Sequence, residues 1–201
     1  LFRTKTKMIL PIRAYGDPVL RKVAHDISPE YPELKELISN MFETMYSANG
    51  IGLAAPQIGL DIRLFVIDVS PLADDEDYID IANELKTFKK VFINAQILEE
   101  SGNEWKFNEG CLSIPDVRED VSRKETILIE YYDENFVKHT ETFSDIRARV
   151  IQHEYDHIDG ILFTDKLSPL KKKIIKGKLN KITAGDVAIN YKWDFLNKNK
   201  L

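Results

Sequence analysis

The chain has 201 residues, 43% of them hydrophobic and 30% charged, a balance typical of a globular domain rather than a disordered chain. Its net charge of −5 argues against general nucleic-acid affinity, and we expect no sequence-specific nucleic-acid partner. No apolar run approaches the roughly 20 residues that span a bilayer, so we expect no membrane association. One cysteine cannot form an internal disulfide, so an oxidising compartment is not implied.

The predicted elements begin with a helix from about Glu33 to Ser47, in which Leu and Met recur at helical spacing. A glycine-rich loop follows at residues 50–59. The acidic segment 71–89 predicts a solvated surface insertion, because four consecutive acidic residues cannot contribute to a core. Apolar runs and turn signals predict four strands: Arg63–Val69, Val91–Leu98, Thr126–Tyr132 and Phe136–Phe143.

Two more helices are predicted in the second half of the chain. Ser144 can cap a helix that Gly160 closes. Ser168-Pro169 starts a basic helix that reaches about Ile182 and continues as a tail, so residues 168–201 form a basic C-terminal region.

The helix after Ser144 carries Gln152-His153-Glu154-Tyr155-Asp156-His157, an H-E-x-x-H pattern. Its two His are four residues apart, so they lie on one helical face and can hold one metal ion. Glu154 is placed to take a proton from a water molecule at that metal. The alternative interpretation is a chance match on a solvated helix.

A catalytic site of this kind needs a third protein ligand. Phe163 occupies the place of the third His of metzincins, and no Glu follows Glu154 in the chain. Asp165 is one candidate. Cys111, the only cysteine, is the other, because thiolate and imidazole together bind zinc and late first-row metals. A small buried side chain without a ligand role is the alternative for Cys111.

The glycine-rich loop is neither a phosphate loop nor a dinucleotide fingerprint, because it lacks a G-K-[ST] ending and follows a helix rather than a strand. It predicts either a tight helix-to-strand connection or a place where Gly50 and Gly52 let the backbone approach a substrate closely. In the second case, Gln57 could direct its amide at an oxyanion.

Three segments together resemble the peptide deformylase family, in that family's order. They are Gly50-Ile51-Gly52-Leu53-Ala54-Ala55-Pro56-Gln57, Glu109-Gly110-Cys111-Leu112-Ser113 and Gln152-His153-Glu154-Tyr155-Asp156-His157. The resemblance covers roughly Tyr15 to Leu170. With the element order, it implies an α+β fold in which antiparallel strands wrap around a central metal-binding helix, with an N-terminal and a C-terminal helix. We expect one such catalytic domain over residues 1–201.

The resemblance implies a hydrolase that removes the formyl group from N-formylmethionyl nascent peptides and releases formate. Glu154 would move the proton, while Gln57 and the backbone N–H of Leu112 would donate to the formyl oxygen. One divalent ion is implied, Fe(II) in the usual case with zinc, nickel or cobalt able to replace it. Its expected ligands are Cys111, His153 and His157.

Substrate contacts are also expected from the resemblance. The peptide would lie extended along the glycine-rich loop, against Gly50, Ile51 and Gly52. Arg118 would meet the peptide further along, and a solvated Arg is the alternative. A pocket for the methionine side chain is assigned by family position, with plain core packing as the alternative, to Phe107, Ile146 and Val150.

Two other functional classes stay open at this point: a general zincin-type metallopeptidase and a non-catalytic, metal-stabilised binding module. A closed structural site would need a fourth protein ligand. His25 and His139 are the only other His in the chain, and neither lies in a ligand-like cluster.

The source and partners are predicted from weaker signals. The start at Leu1, the acidic insertion and a lean toward Lys, Ile and Asn favour a processed form from a mitochondrion or plastid, with a bacterial cytoplasm as the alternative. The lysines of the basic helix predict a solvated amphipathic helix or, following the family, a positive surface that docks on the ribosome.

Overall fold

The structure is a computed structural model that describes residues 8–195. Within this range, the strands are β1 Ile12–Arg13, β2 Gly52–Ala54, β3 Leu64–Asp68, β4 Lys89–Cys111, β5 Ile114–Tyr132, β6 Lys138–Ser144 and β7 Trp193–Asp194. The α-helices are α1 Leu34–Ser47, α2 Ala82–Lys86, α3 Asp145–Ile158 and α4 Pro169–Ala184. Short 3₁₀ turns lie at Pro18–Arg21, Ala55–Ile58, Ser70–Asp74, Glu76–Ile81 and Phe163–Lys166.

Five strands form one antiparallel sheet in the order β2-β3-β4-β5-β6, while β1 and β7 form a separate parallel pair. Strands β4 and β5 make a long hairpin that closes through the two-residue turn Leu112-Ser113, with Cys111 opposite Ile114. This topology places the only cysteine at the very end of β4.

Helix α3 lies in the middle of the molecule and contacts β2, β3, β5 and β6. Its apolar residues, among them Ile146 and Ile151, are buried in a cluster with Phe65 and Phe92 from the sheet. The buried residues of α3 are not confined to one stripe, which is typical of a helix that is surrounded by the rest of the protein. The predicted α+β fold with strands around a central helix is confirmed.

The terminal helices also agree with the sequence. Met41 and Met45 of α1 are fully buried, and Asn49 ends the helix with a positive φ of 54°. In α4, Ser168 Oγ accepts the N–H of Lys171, and Pro169 occupies the first turn. The inner face of α4 is buried through Ile175, Leu179 and Ile182, whereas Leu170 and Ile174 are exposed.

The strands predicted at Val91–Leu98 and Thr126–Tyr132 are only the outer ends of β4 and β5. The connecting arms, roughly residues 99–125, carry many polar and charged side chains, and two of the four register shifts between β4 and β5 lie there, at Ser101/Glu104 and Gly110/Cys111. Inward positions alternate with exposed ones, but several inward positions carry charged residues such as Glu109 and Arg123, so the strand signal is weak although the backbone pairing continues.

The prediction that 71–89 is a solvated surface insertion is wrong for the segment as a whole. The acidic run Asp74–Asp77 is exposed, but Ala73, Leu85 and Phe88 are buried in the main core cluster. The segment contains α2, whose Leu85 packs inward. Its apolar residues, spaced among charges, therefore hold it on the body of the protein.

Two details at element ends also differ from the predictions. Ser144 occupies the N-cap position of α3 without a side-chain capping hydrogen bond, and Asp145 accepts the N–H of Arg147 instead. The C-terminal region includes β7, which was not predicted, and residues 196–201 of the predicted tail lie outside the described range. Within residues 8–195, none of the helices has the length and apolar character of a membrane span.

Candidate active site

Cys111, His153 and His157 lie together, and their potential ligand atoms are all within 4.8 Å of one another. Cys111 Sγ is 3.3 Å from His157 Nε2. Ligands of one tetrahedral ion at about 2.0–2.3 Å stand about 3–4 Å apart, so this group fits a single metal ion. The other candidate, Asp165, is not in the group and instead pairs with Arg21.

The orientation of His153 is set by a carboxylate. Its Nδ1 lies 3.0 Å from Glu109 Oε2, which leaves Nε2 as the atom that can face the thiolate. His157 is 1% exposed, and burial together with the neighbouring His153 lowers its pKa well below the usual value. A neutral imidazole is the form that binds a metal.

Glu109 is the centre of a buried charge network that the sequence analysis did not identify. Arg123 donates two hydrogen bonds to Glu109, at 2.7 and 2.9 Å, and Arg149 donates a third at 2.9 Å. Arg123 also donates to Asp156 at 2.6 Å. Burial opposes the charged form of Glu109, but hydrogen bonds from His153 and Arg123 hold its pKa well below the ordinary value.

A signal for this network exists in the sequence. Arg149 and Asp156 stand four residues before and three residues after His153, so a helix puts all three on one face. Charged residues on the metal-binding face of a buried helix indicate partners elsewhere, because unpaired charges are not tolerated there. Glu109 begins the segment Glu109-Gly110-Cys111-Leu112-Ser113, but that pattern does not predict its role in orienting His153.

Glu154 is 4% exposed, and its Oε2 has no hydrogen-bond partner among the described residues. Burial raises its pKa to about 7. A cation beside such a carboxylate favours its ionised form. The side chain is therefore placed to exchange a proton rather than to form a structural ion pair.

The glycines of the first motif have a packing role in addition to the predicted substrate role. A Cβ on Gly52 would lie 2.4 Å from Glu154 Oε1, and one on Gly50 would lie 2.8 Å from Leu112 Cδ1. No other residue type leaves Glu154 and Leu112 in place. Backbone approach of these glycines to a substrate stays a prediction.

Gln57 is 1% exposed and fixed at both ends of its amide. Oε1 accepts the N–H of Ala54 at 2.8 Å, while Nε2 lies 3.3 Å from Ser113 Oγ and 3.4 Å from Cys111 Sγ. The donor end of the amide is thus held next to the sulfur of Cys111 in the candidate metal centre.

These groups open into a cavity of about 820 Å³. Ile146 and Val150 are buried at 1% and 7% and belong to the main core cluster, yet both also line the cavity. Arg118 lines it too, but its guanidinium donates to Asn108. The predicted site residues on the wall are Gly50, Ile51, Gly52, Gln57, Phe107, Cys111, Leu112, Arg118, Ile146, Val150, His153 and Glu154.

Two walls of the cavity were not predicted. One comes from the acidic segment, through Leu72, Asp75 and Tyr78. The other comes from the C-terminal segment Ala188–Tyr191.

His25 is exposed and His139 pairs with Asp133 at 2.9 Å, so neither joins the group of potential metal ligands.

Comparison with known proteins gives one consistent result. Residues 9–173 match the sequence profile of the family described as polypeptide deformylase. The chain is 62% identical to peptide deformylases of Christiangramia forsetii and Flavobacterium johnsoniae over 194 residues, 96% of this chain and 99% of each relative. Its structure resembles a Legionella pneumophila peptide deformylase with a TM-score of 0.75 and 37% identity, covering 89% of this chain and 98% of that one.

The prediction of a mitochondrial or plastid source is wrong. The relatives at 62% identity are bacterial, which points to a bacterial protein rather than an organellar one. The acidic segment, one basis of that prediction, is partly buried in the core. Leu1, another basis of that prediction, lies outside the described residues.

Proposed function

The chain belongs to the polypeptide deformylase family, a family of metal-dependent enzymes that remove the N-terminal formyl group from N-formylmethionyl peptides, and we propose that the cleft beside Cys111 performs this hydrolysis. One divalent ion would be held by Cys111, His153 and His157. When bound, such an ion polarises a carbonyl and lowers the pKa of water.

Residues of the chain would carry out proton transfer, stabilise the developing charge and orient the metal ligand. Glu154 accepts a proton from the attacking water and returns it to the amine nitrogen as the C–N bond of the formamide breaks. Formate and a free methionyl amine leave. The formyl oxygen gains negative charge during the attack, and Gln57 Nε2 and the N–H of Leu112 donate to it. Glu109 keeps His153 in the orientation that this arrangement requires.

The substrate would occupy the same cavity. We place the methionine side chain against Phe107, Ile146 and Val150, which bring apolar surface to the wall within reach of the candidate metal centre. The peptide backbone would run along Gly50, Ile51 and Gly52 as an added strand. Arg118 would lie further along the peptide, although Asn108 already holds its guanidinium.

The observation that carries the proposed roles is the buried carboxylate of Glu154, without a partner among residues 8–195, beside three clustered metal-ligating side chains. Replacing Glu154 by Gln should lower turnover by about 10²–10⁴-fold, the usual contribution of a general acid–base. Metal content should stay near that of the unchanged protein. A variant with full turnover would remove Glu154 from the mechanism.

The native metal is proposed to be Fe(II). A thiolate and two imidazoles accept iron, zinc, nickel and cobalt alike, so the choice rests on the family rather than on the ligand set. Oxidation of an iron ion or of the Cys111 thiolate should inactivate the iron form in air, whereas a nickel form should last longer. Activity half-lives of the two forms under air and under nitrogen test this. Equal half-lives in air would argue against iron.

The exposed lysines of α4 are proposed to dock on the ribosome. Lys173 and Lys176 are exposed next to the apolar side chains of Leu170 and Ile174, which are exposed as well. Such a surface combines positive charge with a hydrophobic strip, and the charge would make binding to RNA strongly dependent on salt.

A further inference from the structure

The turn that joins β4 to β5 is held from outside the hairpin by both ends of the described chain. Its two residues, Leu112 and Ser113, directly follow Cys111. The Tyr191 hydroxyl donates to the Leu112 carbonyl at 2.7 Å. The N–H of Tyr15 donates to the Ser113 carbonyl at 2.8 Å. Each residue of the turn therefore has its carbonyl tied to a different segment.

Tyr191 is itself fixed by the parallel pair β1 and β7. The N–H of Ile12 donates to the Lys192 carbonyl at 3.0 Å, and that of Ala14 donates to the Asp194 carbonyl at 3.2 Å. Arg13 pairs with Asp194 at 2.6 Å. Because these two backbone hydrogen bonds and the ion pair hold the segment, the Tyr191 hydroxyl has little freedom to leave the Leu112 carbonyl.

Aromatic stacking adds to the attachment. Tyr191 and Trp193 stack with their ring centres 5.4 Å apart and an angle of 18° between the rings. Trp193 is buried in the cluster that also contains Ile114 and Val117 from the start of β5. Tyr191 is thus packed against the same part of the hairpin that its hydroxyl contacts.

Relatives at 62% identity align over 194 residues of this chain, but the match to the family's sequence profile ends at residue 173, before this segment. The segment nevertheless forms a wall of the cavity, through Ala188–Tyr191. We propose that Tyr191 is a positioning residue, which holds the Leu112-Ser113 turn so that the Leu112 N–H keeps its direction toward the formyl oxygen. This inference rests on the proposed function, in which that N–H stabilises the developing charge.

A hydrogen bond to the Leu112 carbonyl restricts rotation of the Leu112 backbone, which carries the proposed donor N–H on its other side. A preorganised donor costs no reorganisation at the moment of reaction. Without the bond, the turn should sample other orientations, and only a fraction of molecules would present the donor correctly. The effect should appear in kcat, because the ground-state substrate carbonyl needs this donor less than the transition state does.

The test is the full-length, metal-loaded protein with Tyr191 replaced by Phe, which keeps the stacked ring and removes only the hydroxyl. We expect kcat to fall about tenfold, less than the 10²–10³-fold typical for deleting an oxyanion donor outright. KM and metal content should not change. Y131F is the matched control, because the Tyr131 hydroxyl bonds to Lys90 and Glu141 in the sheet, away from the cavity.

A second readout follows the turn directly. Amide hydrogen exchange in peptides covering residues 108–116 should be faster in Y191F than in the unchanged protein, and unaffected in Y131F. D194N, which weakens the Arg13 pair, should change exchange and kcat in the same directions by smaller amounts. Because D194N leaves Tyr191 intact, it tests the idea even if Y191F folds poorly.

The outcomes separate this inference from the proposed function. Unchanged kcat in Y191F, or a loss equal to that in Y131F, would overturn the positioning role, and so would unchanged exchange at the turn. A loss that appears only in KM would also overturn it. Failure of the unchanged protein to release formate would instead refute the proposed function itself.

Discussion

At the scale of single residues, the contact between Gly52 and Glu154 links the glycine-rich loop to the chemistry. A methyl group at position 52 would lie 2.4 Å from the Glu154 carboxylate. We expect G52A to displace that carboxylate and to lower kcat by about 10²-fold, as a misplacement near 1 Å can do. Steady-state formate release measures the effect.

The chain offers a matched glycine for comparison. Gly177 lies in α4 with no atom within 4 Å of an added Cβ. G177A should leave kcat unchanged and stabilise the protein by roughly 0.5–1 kcal/mol, because Ala is the better helix former. If G52A kept the kcat of the unchanged protein, the proposed contact would not matter for catalysis.

Glu109 is the residue on which the buried charges depend. Removing it would leave Arg149 without its carboxylate partner and His153 without its acceptor. E109A should lower the free energy of unfolding by about 3–5 kcal/mol. It should also weaken metal binding by about 10–100-fold, as is usual when the orienting partner of a ligand is lost.

Denaturant unfolding and competition with a chelator measure these two effects. E141A is the control, because Glu141 bonds to Lys90 and Tyr131 on the sheet and is not part of the metal-ligating group. Equal metal affinities in E109A and E141A would contradict the orienting role of Glu109.

At the scale of elements, the sequence predicted the helices better than the sheet. Residues on the buried faces of α1 and α3 recur at helical spacing. The burial of Met41 and the shared face of His153 and His157 could therefore be predicted. The hairpin arms between about residues 99 and 125 bury charged side chains such as Glu109 and Arg123, so the side-chain pattern does not reveal the backbone pairing there. Contacts between distant segments, such as that of Tyr191 with Leu112, leave no local signal at all.

The residues of the candidate site also differ in whether the sequence could predict them. Cys111, His153, His157 and Glu154 were predictable because they lie in short motifs with a chemical reason for their spacing. The network around Glu109 was not, because it joins a strand end, the middle of another strand and a helix. Only the helical spacing of Arg149 and Asp156 around His153 pointed to it.

The exposed lysines of helix α4 allow the proposed docking on the ribosome to be tested. K173E/K176E reverses two exposed charges on the outer face while Ile175 and Leu179 keep the inner face packed. Co-sedimentation with ribosomes should be lost in the variant, and in the unchanged protein it should fall steeply between low and moderate salt. K35E/K86E, on other helices, is the control. Binding unaffected by K173E/K176E would leave α4 with a packing role only.

At the scale of the whole molecule, the segment Ala188–Tyr191 and the acidic segment both contribute to the wall of the cavity at the candidate site. The cavity wall includes Tyr78 from the segment predicted to be a surface insertion and Tyr191 from the predicted tail. A segment's charge alone therefore did not reveal its position, since a few apolar side chains within it decided where it packs. The family match over residues 9–173 includes the wall from the acidic segment, whereas the wall at Ala188–Tyr191 lies beyond it.

One metal-dependent centre at Cys111, His153 and His157 is proposed to hydrolyse the formamide bond. The most direct measurement follows formate release from formyl-Met-Ala-Ser by the full-length protein under nitrogen, with metal per chain determined in the same samples. Formate should appear in step with free Met-Ala-Ser, rise in proportion to metal content and stop when the metal is removed, and the peptide bonds should stay intact. No formate at full metal loading, or cleavage of unformylated Met-Ala-Ser at a comparable rate, would contradict the account.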